Sequence, residues 1–338
     1  MSGEEALLAA VRRGLGAAAA GDGVEFGIGD DAAVLLPPPG RRLVATVDMQ
    51  VEGQHFVRQG PAGAPLVEIG WRALAVNLSD VAAMGGEPRW ALSSLGIPTD
   101  MPAAGVEAVC AGLAQAATAF GVSVVGGNLA RVPHGLVLDV TVLGLVDRAV
   151  PRSGGRPGDL VCVSGRLGAA AAGLAVARHG CDVPGLGDGA QRELLLAQRH
   201  PEPRVREGIA LGGLFPGAVH AMCDVSDGLT ADLGRLCTPG LGATLWQAAL
   251  PVPAAVRAAA VALGADALAW ALGGGEDYEL LCLVAPDGFD AARSAVARCG
   301  GAELQAIGEC TVCPGLRLAE VRGGEGRPVE PAGWDPFR

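Results

Sequence analysis

Lysine is absent from this chain of 338 residues, so all 25 of its basic side chains other than histidine are arginines. This absence excludes a Walker A loop, in which a lysine contacts the β- and γ-phosphates, and a protein-kinase site, which needs a strand lysine. It also excludes Schiff-base chemistry, which needs an amine. If the chain binds phosphate, the phosphate must be held by metal ions, arginine or backbone N–H groups.

Positive charge is scarce overall. The 36 Asp and Glu residues exceed the arginines and give a formal net charge of −11. Such a balance leaves no dominant basic face, which argues against binding to nucleic acid or to an anionic membrane. An anionic ligand would therefore need local cations.

Neither an export signal nor a clear membrane span is visible. The first residues carry Glu4 and Glu5, which is typical of an amphipathic helix and not of the basic start of a signal peptide. The most apolar stretch, residues 252–272, is interrupted by Arg257 and Asp266, so we expect two helices of a soluble protein there.

The nine cysteines show no disulfide framework. Their odd number and the lack of a secretory signal favour reduced thiols and a cytoplasmic protein. Cys310 and Cys313 form one CxxC pair without a second ligand pair, which favours a turn between strands over a zinc or redox site.

Short β-like runs alternate with helix-like runs, which predicts an α/β fold. In the first half the predicted strands are residues 32–36, 43–48, 90–95, 122–125 and 136–146, and the predicted helices are 66–84 and 102–120. In the second half the predicted strands are residues 160–164, 220–224, 243–246 and 278–284, with helices that include 204–214 and 229–236.

A loop rich in proline and glycine at residues 147–159 indicates a boundary between two domains. We therefore predict an N-terminal α/β domain over residues 1–148 and a C-terminal α/β domain over residues 149–338.

Acidic or amide side chains recur in Gly-rich turns or at strand ends. Carboxylates that gather on loops repel one another unless a cation neutralises them, and Mg²⁺ prefers hard oxygen ligands shared with substrate phosphates. For a single residue such as Asp30 or Asp232, helix capping or turn closure is the simpler interpretation. The segments are GIGDD (27–31), TVDMQVEGQHF (46–56), NLSDVAAMGG (77–86), VVGGN (124–128) and DVSDGL (224–229).

These segments, together with RSGGRPGDLVCVSG, HPEPRV, GGGEDYEL and the terminal GWDPF, resemble the thiamine-monophosphate kinase family in order and spacing. That family belongs to the superfamily of aminoimidazole ribonucleotide synthetase and selenophosphate synthetase. The resemblance implies an α/β fold of α+β type with two domains, and a homodimer formed through strands of the N-terminal domain. It also implies that ATP and several Mg²⁺ ions bind in the cleft between the domains, and that the γ-phosphoryl group passes directly to thiamine monophosphate without a phosphoenzyme.

The resemblance also implies roles for individual residues. Gly127, Arg152 and Ser226 match ATP-site positions, whereas His55, Glu276 and Trp334 match positions around the thiamine moiety. An indole face and a carboxylate suit a thiazolium, which is a permanent cation. Taken alone, His55 is more simply explained by a purely structural role, and for Trp334 such a role is nearly as good an explanation. The residues at metal-binding positions are Asp31, Thr46, Val47, Asp48, Asp80, Asn128, Asp224 and Asp227.

Three positions depart from the family pattern. Val47 and Met49 replace two hydroxyl residues beside Asp48, and Asn128 replaces a carboxylate. An asparagine oxygen can coordinate a cation but brings no charge. Besides an active kinase, the sequence leaves open a related enzyme acting on another phosphorylated metabolite, and a nucleotide-binding regulator with decayed catalysis.

Overall fold

The computed structural model describes residues 3–28, 32–60, 62–237 and 239–334. The chain divides into two compact units, each described below by itself. The first comprises Met1–Val81 and Glu87–Asp147, and the second comprises Ala82–Gly86 and Arg148–Arg338. The hydrophobic pattern does not predict that the short segment Ala82–Gly86 groups with the second unit.

The first unit combines helices with a four-stranded sheet. The elements are α1 (Gly3–Leu15), β1 (Val24–Phe26), β2 (Val34–Leu35), β3 (Arg42–Val51), α2 (Leu66–Ala83), β4 (Glu87–Pro98), α3 (Ala103–Phe120), β5 (Ser123–Val132) and β6 (Val137–Val146). The strand order in the sheet is β3-β6-β4-β5. Strands β3 and β4 run antiparallel to β6, and β5 runs parallel to β4.

Helices α2 and α3 approach closely through two glycines. A Cβ atom on Gly70 would lie 2.0 Å from the Val109 carbonyl oxygen, and one on Gly112 would lie 1.9 Å from the Val67 carbonyl oxygen. Helix α3 is long and apolar enough to cross a membrane by composition alone. However, Val109 and Leu113 are fully buried and α3 packs against α1 and β5, so its apolar character is accounted for by core packing.

The second unit is built on a seven-stranded sheet. The elements are β7 (Leu160–Ser164), α4 (Ala169–Arg178), α5 (Asp188–Arg199), α6 (Val205–Gly212), β8 (Val219–Asp224), α7 (Leu229–Leu236), β9 (Gly242–Trp246), α8 (Ala254–Leu263), α9 (Ala267–Gly273), β10 (Leu280–Val284), α10 (Phe289–Ala297), β11 (Leu304–Thr311), β12 (Gly315–Ala319) and β13 (Arg327–Val329). The strand order is β13-β12-β9-β11-β7-β10-β8. Leu229, Leu233 and Leu236 of α7 are buried against these strands.

Most element predictions are confirmed. The apolar stretch at residues 252–272 forms two separate helices, α8 and α9, bent by 120° at the break between them. Cys310 lies in β11 and Cys313 in the turn before β12, as the turn interpretation of the CxxC pair predicts. Within the described ranges, no group of three or more His, Cys, Asp or Glu side chains is placed to hold a metal ion at this pair or elsewhere.

Several strand predictions are wrong at their ends. Strands β3 and β4 extend beyond the predicted residues 43–48 and 90–95, because their pairing with neighbouring strands continues through the added residues. Strand β2 is shorter than the predicted residues 32–36. Strand β5 continues to Val132 through Gly126 and Gly127, because it pairs with β4 over its whole length and that pairing outweighs the low strand propensity of glycine. Strand β10 begins at Leu280 and not at residue 278, because Tyr278 adopts a left-handed φ of 50° that regular strand geometry does not allow.

Candidate active site

Polar side chains line one face of β3 in the first unit. Thr46 and Asp48 are partly buried and Gln50 is buried, whereas Val47 and Met49 between them are 58% and 50% exposed. Because successive side chains of a strand point to opposite faces, the three polar residues share the covered face of the sheet.

Helix α2 places a carboxylate against this polar face. The Thr46 hydroxyl donates a hydrogen bond of 2.6 Å to Oδ2 of Asp80, a residue in the last turn of α2. Farther along the same face, Arg72 of α2 donates a buried hydrogen bond of 3.1 Å to the amide oxygen of Gln50. Strand and helix are thus joined by side-chain hydrogen bonds, and Thr46 fixes the orientation of the Asp80 carboxylate.

The two family departures on β3 lie on the opposite face. The side chains of Val47 and Met49 point away from Thr46 and Asp48, and only the backbone carbonyl of Val47 could contact a cation. The two replaced hydroxyl positions therefore do not belong to the polar face that carries Asp48.

Gly127 and Asn128 lie side by side within β5, opposite Ser93 and Ser94 of β4. Gly127 has a φ of 155°, and a Cβ atom there would lie 1.9 Å from the Ser93 carbonyl oxygen, so only glycine fits. Both residues are exposed at the edge of the sheet. Asn128 lies within the strand and does not close a turn.

In the second unit, β8 ends in a carboxylate followed by a tight turn. Asp224 is the last residue of β8 and only 2% exposed, and residues 225–228 lead directly into α7. A carboxylate at a strand end, ahead of a glycine turn, is a common position for ligand binding in α/β proteins.

The GGGEDYEL segment is hydrogen-bonded along this turn. Glu276 N–H donates to the Ser226 carbonyl at 2.7 Å, and Tyr278 N–H donates to the Val225 carbonyl at 2.9 Å. Glu276 has a left-handed φ of 62°, which is uncommon for a residue other than glycine. Backbone pairing thus holds Glu276 directly beside Ser226.

The C-terminal segment is attached to the same turn. Trp334 N–H donates to the Asp227 carbonyl at 2.9 Å, and the Thr230 hydroxyl is within hydrogen-bond distance of both the N–H and the carbonyl of Ala332. The indole of Trp334 remains about half exposed, at 49%. Glu276 and Trp334 are therefore held on two neighbouring residues, Ser226 and Asp227.

The side chain of Asp232 in α7 stabilises the turn formed by residues 225–228. Its Oδ2 accepts hydrogen bonds of 3.1 Å from the N–H groups of Ser226, Asp227 and Gly228 at the start of α7. Asp232 thus closes the turn ahead of α7, and the turn-closure interpretation of this residue is confirmed. Burial raises the pKa of Asp232, although Arg235 and these backbone donors oppose the rise.

Arg235 connects the two carboxylates of this turn. Its guanidinium lies 2.5 Å from Oδ2 of Asp227 and 2.5 Å from Oδ1 of Asp232. The pKa of Arg235 is raised because its contacts with Asp227 and Asp232 outweigh the opposing effect of burial.

A buried ion pair supports the GGGEDYEL segment. Glu279 accepts two hydrogen bonds of 2.7 Å from Arg204, one of 2.7 Å from the Ser164 hydroxyl and one of 3.0 Å from Arg166 N–H. A carboxylate with four donors is well compensated for its desolvation. Arg204 of the HPEPRV segment thus fixes the residues that follow Glu276.

Asp277, between Glu276 and Tyr278, caps α4 through the N–H groups of Gly168 and Ala170 at 2.7 and 3.2 Å. Part of the residue is exposed, but its carboxyl group is buried. This burial raises the pKa of Asp277 to about 7, although the two backbone hydrogen bonds act to lower it. Since the unfolded chain ionises near pH 4 and the folded chain only near pH 7, this group makes the fold less stable as pH rises through that window.

The remaining predicted residues occupy loops of their own units. Arg152 is exposed and follows Pro151, whose carbonyl accepts a hydrogen bond of 3.1 Å from Met222 N–H of β8. His55 follows β3, and its Nδ1 accepts a hydrogen bond of 3.1 Å from Val51 N–H, which places the proton of the neutral ring on Nε2. Asp31 and Asp30 lie outside the described residues.

The donor set suits a hard divalent cation. The candidate ligands are carboxylate and hydroxyl oxygens without thiolate or imidazole, the set that Mg²⁺ prefers. No three acidic, cysteine or histidine side chains of the described ranges form a ready-made cage. Mg²⁺ does not require one, because it is usually held by one or two carboxylates with water and substrate phosphates.

Sequence patterns located the acidic residues of both units but missed the groups that orient them. Arg204, Arg235, Asp277 and Glu279 were not singled out. Three acidic residues within EDYE could have signalled a buried charge network, because carboxylates so close together need cations or backbone donors.

Known protein families and curated proteins match this chain over most of its length. The family models for the N-terminal and C-terminal domains of AIR synthase related proteins match residues 29–146 and 156–319. The thiamine-monophosphate kinase of Escherichia coli O157:H7 is 36% identical over 319 residues, which cover 93% of this chain and 92% of that protein.

Solved structures give the same result. The crystal structure of thiamine-monophosphate kinase from Stenotrophomonas maltophilia K279a matches with a TM-score of 0.80 and 35% identity, covering 96% of this chain and 98% of that one. The complex described as AaThiL with AMPPCP and TMP matches with a TM-score of 0.75 and 28% identity, covering 99% and 98%. The predicted two-domain α/β fold is thereby confirmed, and the chain belongs to the thiamine-monophosphate kinase family of AIR synthase related proteins.

Proposed function

We propose that this enzyme transfers the γ-phosphoryl group of ATP to the phosphate of thiamine monophosphate and so forms thiamine diphosphate. One observation carries the proposal. Glu276 and Trp334, the residues matched to the thiamine moiety, are hydrogen-bonded through their backbones to Ser226 and Asp227, which are matched to nucleotide and metal. A single turn thus brings the two sets of residues together.

The chemistry of Glu276 and Trp334 suits a thiazolium ring. The indole of Trp334 is about half exposed and can present its face to a permanent cation, which an aromatic face attracts. Glu276 can offer a carboxylate to the same cation, and its position is fixed by the bond of its N–H to Ser226. We propose His55 of the first unit as a further residue at the substrate.

Asp48, Asp80 and Thr46 would hold Mg²⁺ in the first unit, and Asp224 and Asp227 would hold it in the second. Asp31 completes this proposed set, and Asn128 and the Val47 carbonyl contribute neutral oxygens. When bound, Mg²⁺ neutralises the phosphate charges that lysines neutralise in other kinases. Thr46 contributes by orienting the Asp80 carboxylate through its hydrogen bond.

The nucleotide would contact Gly127, Arg152 and Ser226. The exposed backbone at Gly127 is free of any side chain, so a ligand can approach it closely. Arg152 is exposed and supplies a permanent cation for phosphate. Direct transfer requires that the two substrates be positioned and that the phosphate charges be neutralised. We therefore assign no covalent role to any nucleophilic side chain.

We further propose that residues 1–148 and 149–338 act as the two domains and that the enzyme is a homodimer in the cytoplasm, where ATP is available. The outer face of β3 supports the dimer, because Leu43, Val47 and Met49 on it are all exposed. An exposed apolar patch on a sheet is typical of a protein interface. The assembly is tested by sedimentation of the wild type and of Val47→Asp, which we expect to be monomeric.

The activity is tested with the purified full chain, ATP and Mg²⁺. Thiamine diphosphate is quantified by chromatography after oxidation to its fluorescent thiochrome derivative, with thiamine and unrelated phosphorylated metabolites as parallel acceptors. We expect turnover with thiamine monophosphate alone. Turnover with another acceptor would assign a different enzyme of the superfamily, and ATP binding without any turnover would assign a regulator.

A further inference from the structure

The side chain of Arg235 brings a positive charge to the DVSDGL turn. Arg235 lies in the last turn of α7, and its guanidinium bridges Asp227 and Asp232 at 2.5 Å each. The side chain of Arg235 is 45% exposed, that of Asp227 is 28% exposed and that of Asp232 is only 3% exposed. The bridge therefore runs from a buried anchor to an accessible carboxylate.

Asp232 is fully engaged and acts as that anchor. Its Oδ2 takes the three N–H groups of residues 226–228, and its Oδ1 takes Arg235. These N–H groups form a pocket of the kind that holds phosphate at helix starts, and a carboxylate of the chain already fills it. A nucleotide phosphate cannot use these donors while Asp232 is in place.

Of the two carboxylates that contact Arg235, Asp227 is the one that could exchange the guanidinium for a metal ion. It is more accessible than Asp232, and it is the residue to which the proposed function assigns a divalent cation. A metal ion and the Arg235 guanidinium at the same carboxylate would repel each other. The guanidinium is nearly half exposed, so water can solvate it when it leaves Asp227.

We propose that Arg235 is an internal counter-ion that occupies Asp227 in the metal-free protein and competes with the divalent cation for it. Arg235 thereby sets the metal affinity of the DVSDGL turn. The inference rests on the proposed function, because it needs Asp227 to be a metal ligand. Arg235 is a positioning residue and takes no part in the transfer itself.

The test measures metal binding directly and not activity. Mn²⁺ is titrated into the full chain without nucleotide, and free Mn²⁺ is followed by electron paramagnetic resonance. Loss of an accessible ion pair and of one nearby positive charge should tighten Mn²⁺ binding in Arg235→Gln roughly three- to tenfold. Asp227→Asn should lose the same binding site, and the double variant should show no tightening relative to Asp227→Asn.

Arg293→Gln is the matched control, since Arg293 pairs with Asp290 one helical turn earlier on the surface of α10. It should bind Mn²⁺ as the wild type does. Arg235→Lys keeps the charge but lacks the two-pronged contact, and should give an intermediate constant if Arg235→Gln does not fold.

Unchanged or weaker Mn²⁺ binding in a folded Arg235→Gln overturns this inference and leaves the kinase proposal standing. A wild type that binds no Mn²⁺ without nucleotide also overturns the inference, because Arg235 then has no bound cation with which to compete. The formation of thiamine diphosphate is measured separately, so the two failures are distinguished.

Discussion

In the first unit the acidic groups project from regular elements, Asp48 from β3 and Asp80 from α2, whereas in the second unit Asp224 and Asp227 occupy a strand end and the turn behind it. The first pair is oriented by side chains, with Thr46 donating to Asp80. The second is oriented by backbone hydrogen bonds from Glu276, Tyr278 and Trp334 and by the ion pairs of Arg235 with Asp227 and Asp232. A sheet and a helix hold their side chains through core packing, but a turn needs dedicated partners.

This difference separates the two kinds of mutational effect. Changing a carboxylate of the first unit should affect the reaction with little effect on the fold. Changing the groups that support the second turn should affect stability and substrate binding together.

Asp80→Asn and Asp224→Asn should each lower kcat/KM for thiamine diphosphate formation by at least about 100-fold, because each removes a charge assigned to metal binding. Asparagine keeps the shape, and at position 80 it still accepts the Thr46 hydrogen bond. The melting temperature should change by less than about 3 °C. Exposed Asp290→Asn is the control. Near-normal turnover at limiting Mg²⁺ would remove either residue from the metal site.

Glu279→Gln should lower the free energy of unfolding of the second unit by roughly 3 kcal/mol, since it leaves the buried Arg204 guanidinium without its carboxylate. The expected fall in melting temperature is roughly 6–12 °C. The KM for thiamine monophosphate should rise as well, because Glu279 holds the segment that carries Glu276. Glu193→Gln, which breaks the exposed pair with Arg166, is the control and should cost less than about 1 kcal/mol. Equal effects of the two variants would contradict the supporting role of Glu279.

Trp334→Ala should raise the KM for thiamine monophosphate roughly 2- to 30-fold and leave the KM for ATP unchanged, because a cation over an indole contributes about 0.5–2 kcal/mol. Trp334→Phe keeps an aromatic face and should lose less. Steady-state kinetics with each substrate varied in turn measure the effect. A rise confined to ATP would assign Trp334 to the nucleotide.

Asn128→Asp should lower the Mg²⁺ concentration for half-maximal rate by roughly two- to fivefold, because a carboxylate attracts a divalent ion more strongly than an amide does. Ala130→Asp adds the same charge two residues along the same exposed face of β5 and should have a smaller effect. Initial rates are measured against Mg²⁺ concentration for both variants and the wild type. If Asn128→Asp left the Mg²⁺ requirement unchanged or raised it, Asn128 would not be a weakened ligand.

The sequence predicted the helices and strands that local patterns encode and missed the contacts between residues far apart in the chain. Helices α2 and α7 and strands β3, β6, β7 and β8 follow from hydrophobic period and turn residues, because these are local signals. The predicted end of β5 was wrong, because pairing with β4, and not local propensity, decides how far that strand continues. The acidic motifs were found because carboxylates beside glycine turns are unusual enough to notice.

The orienting groups could not be predicted in the same way. Arg204 and Glu279 lie 75 positions apart, and Ser164 and Glu279 lie 115 apart, so only the folded sheet brings them together. Likewise, nothing local to Trp334 indicates that its N–H reaches the Asp227 carbonyl. Long-range hydrogen bonds of this kind depend on tertiary packing, which one sequence does not specify by pattern alone.

Direct metal-assisted transfer is tested by following the γ-phosphoryl group of radiolabelled ATP in the reaction of the full chain with thiamine monophosphate. We predict that the label appears in thiamine diphosphate only when Mg²⁺ is present and that none stays on the protein after denaturation. Label that remains on the protein, or transfer that persists after removal of all divalent metal, would contradict direct metal-assisted transfer by these two groups of carboxylates.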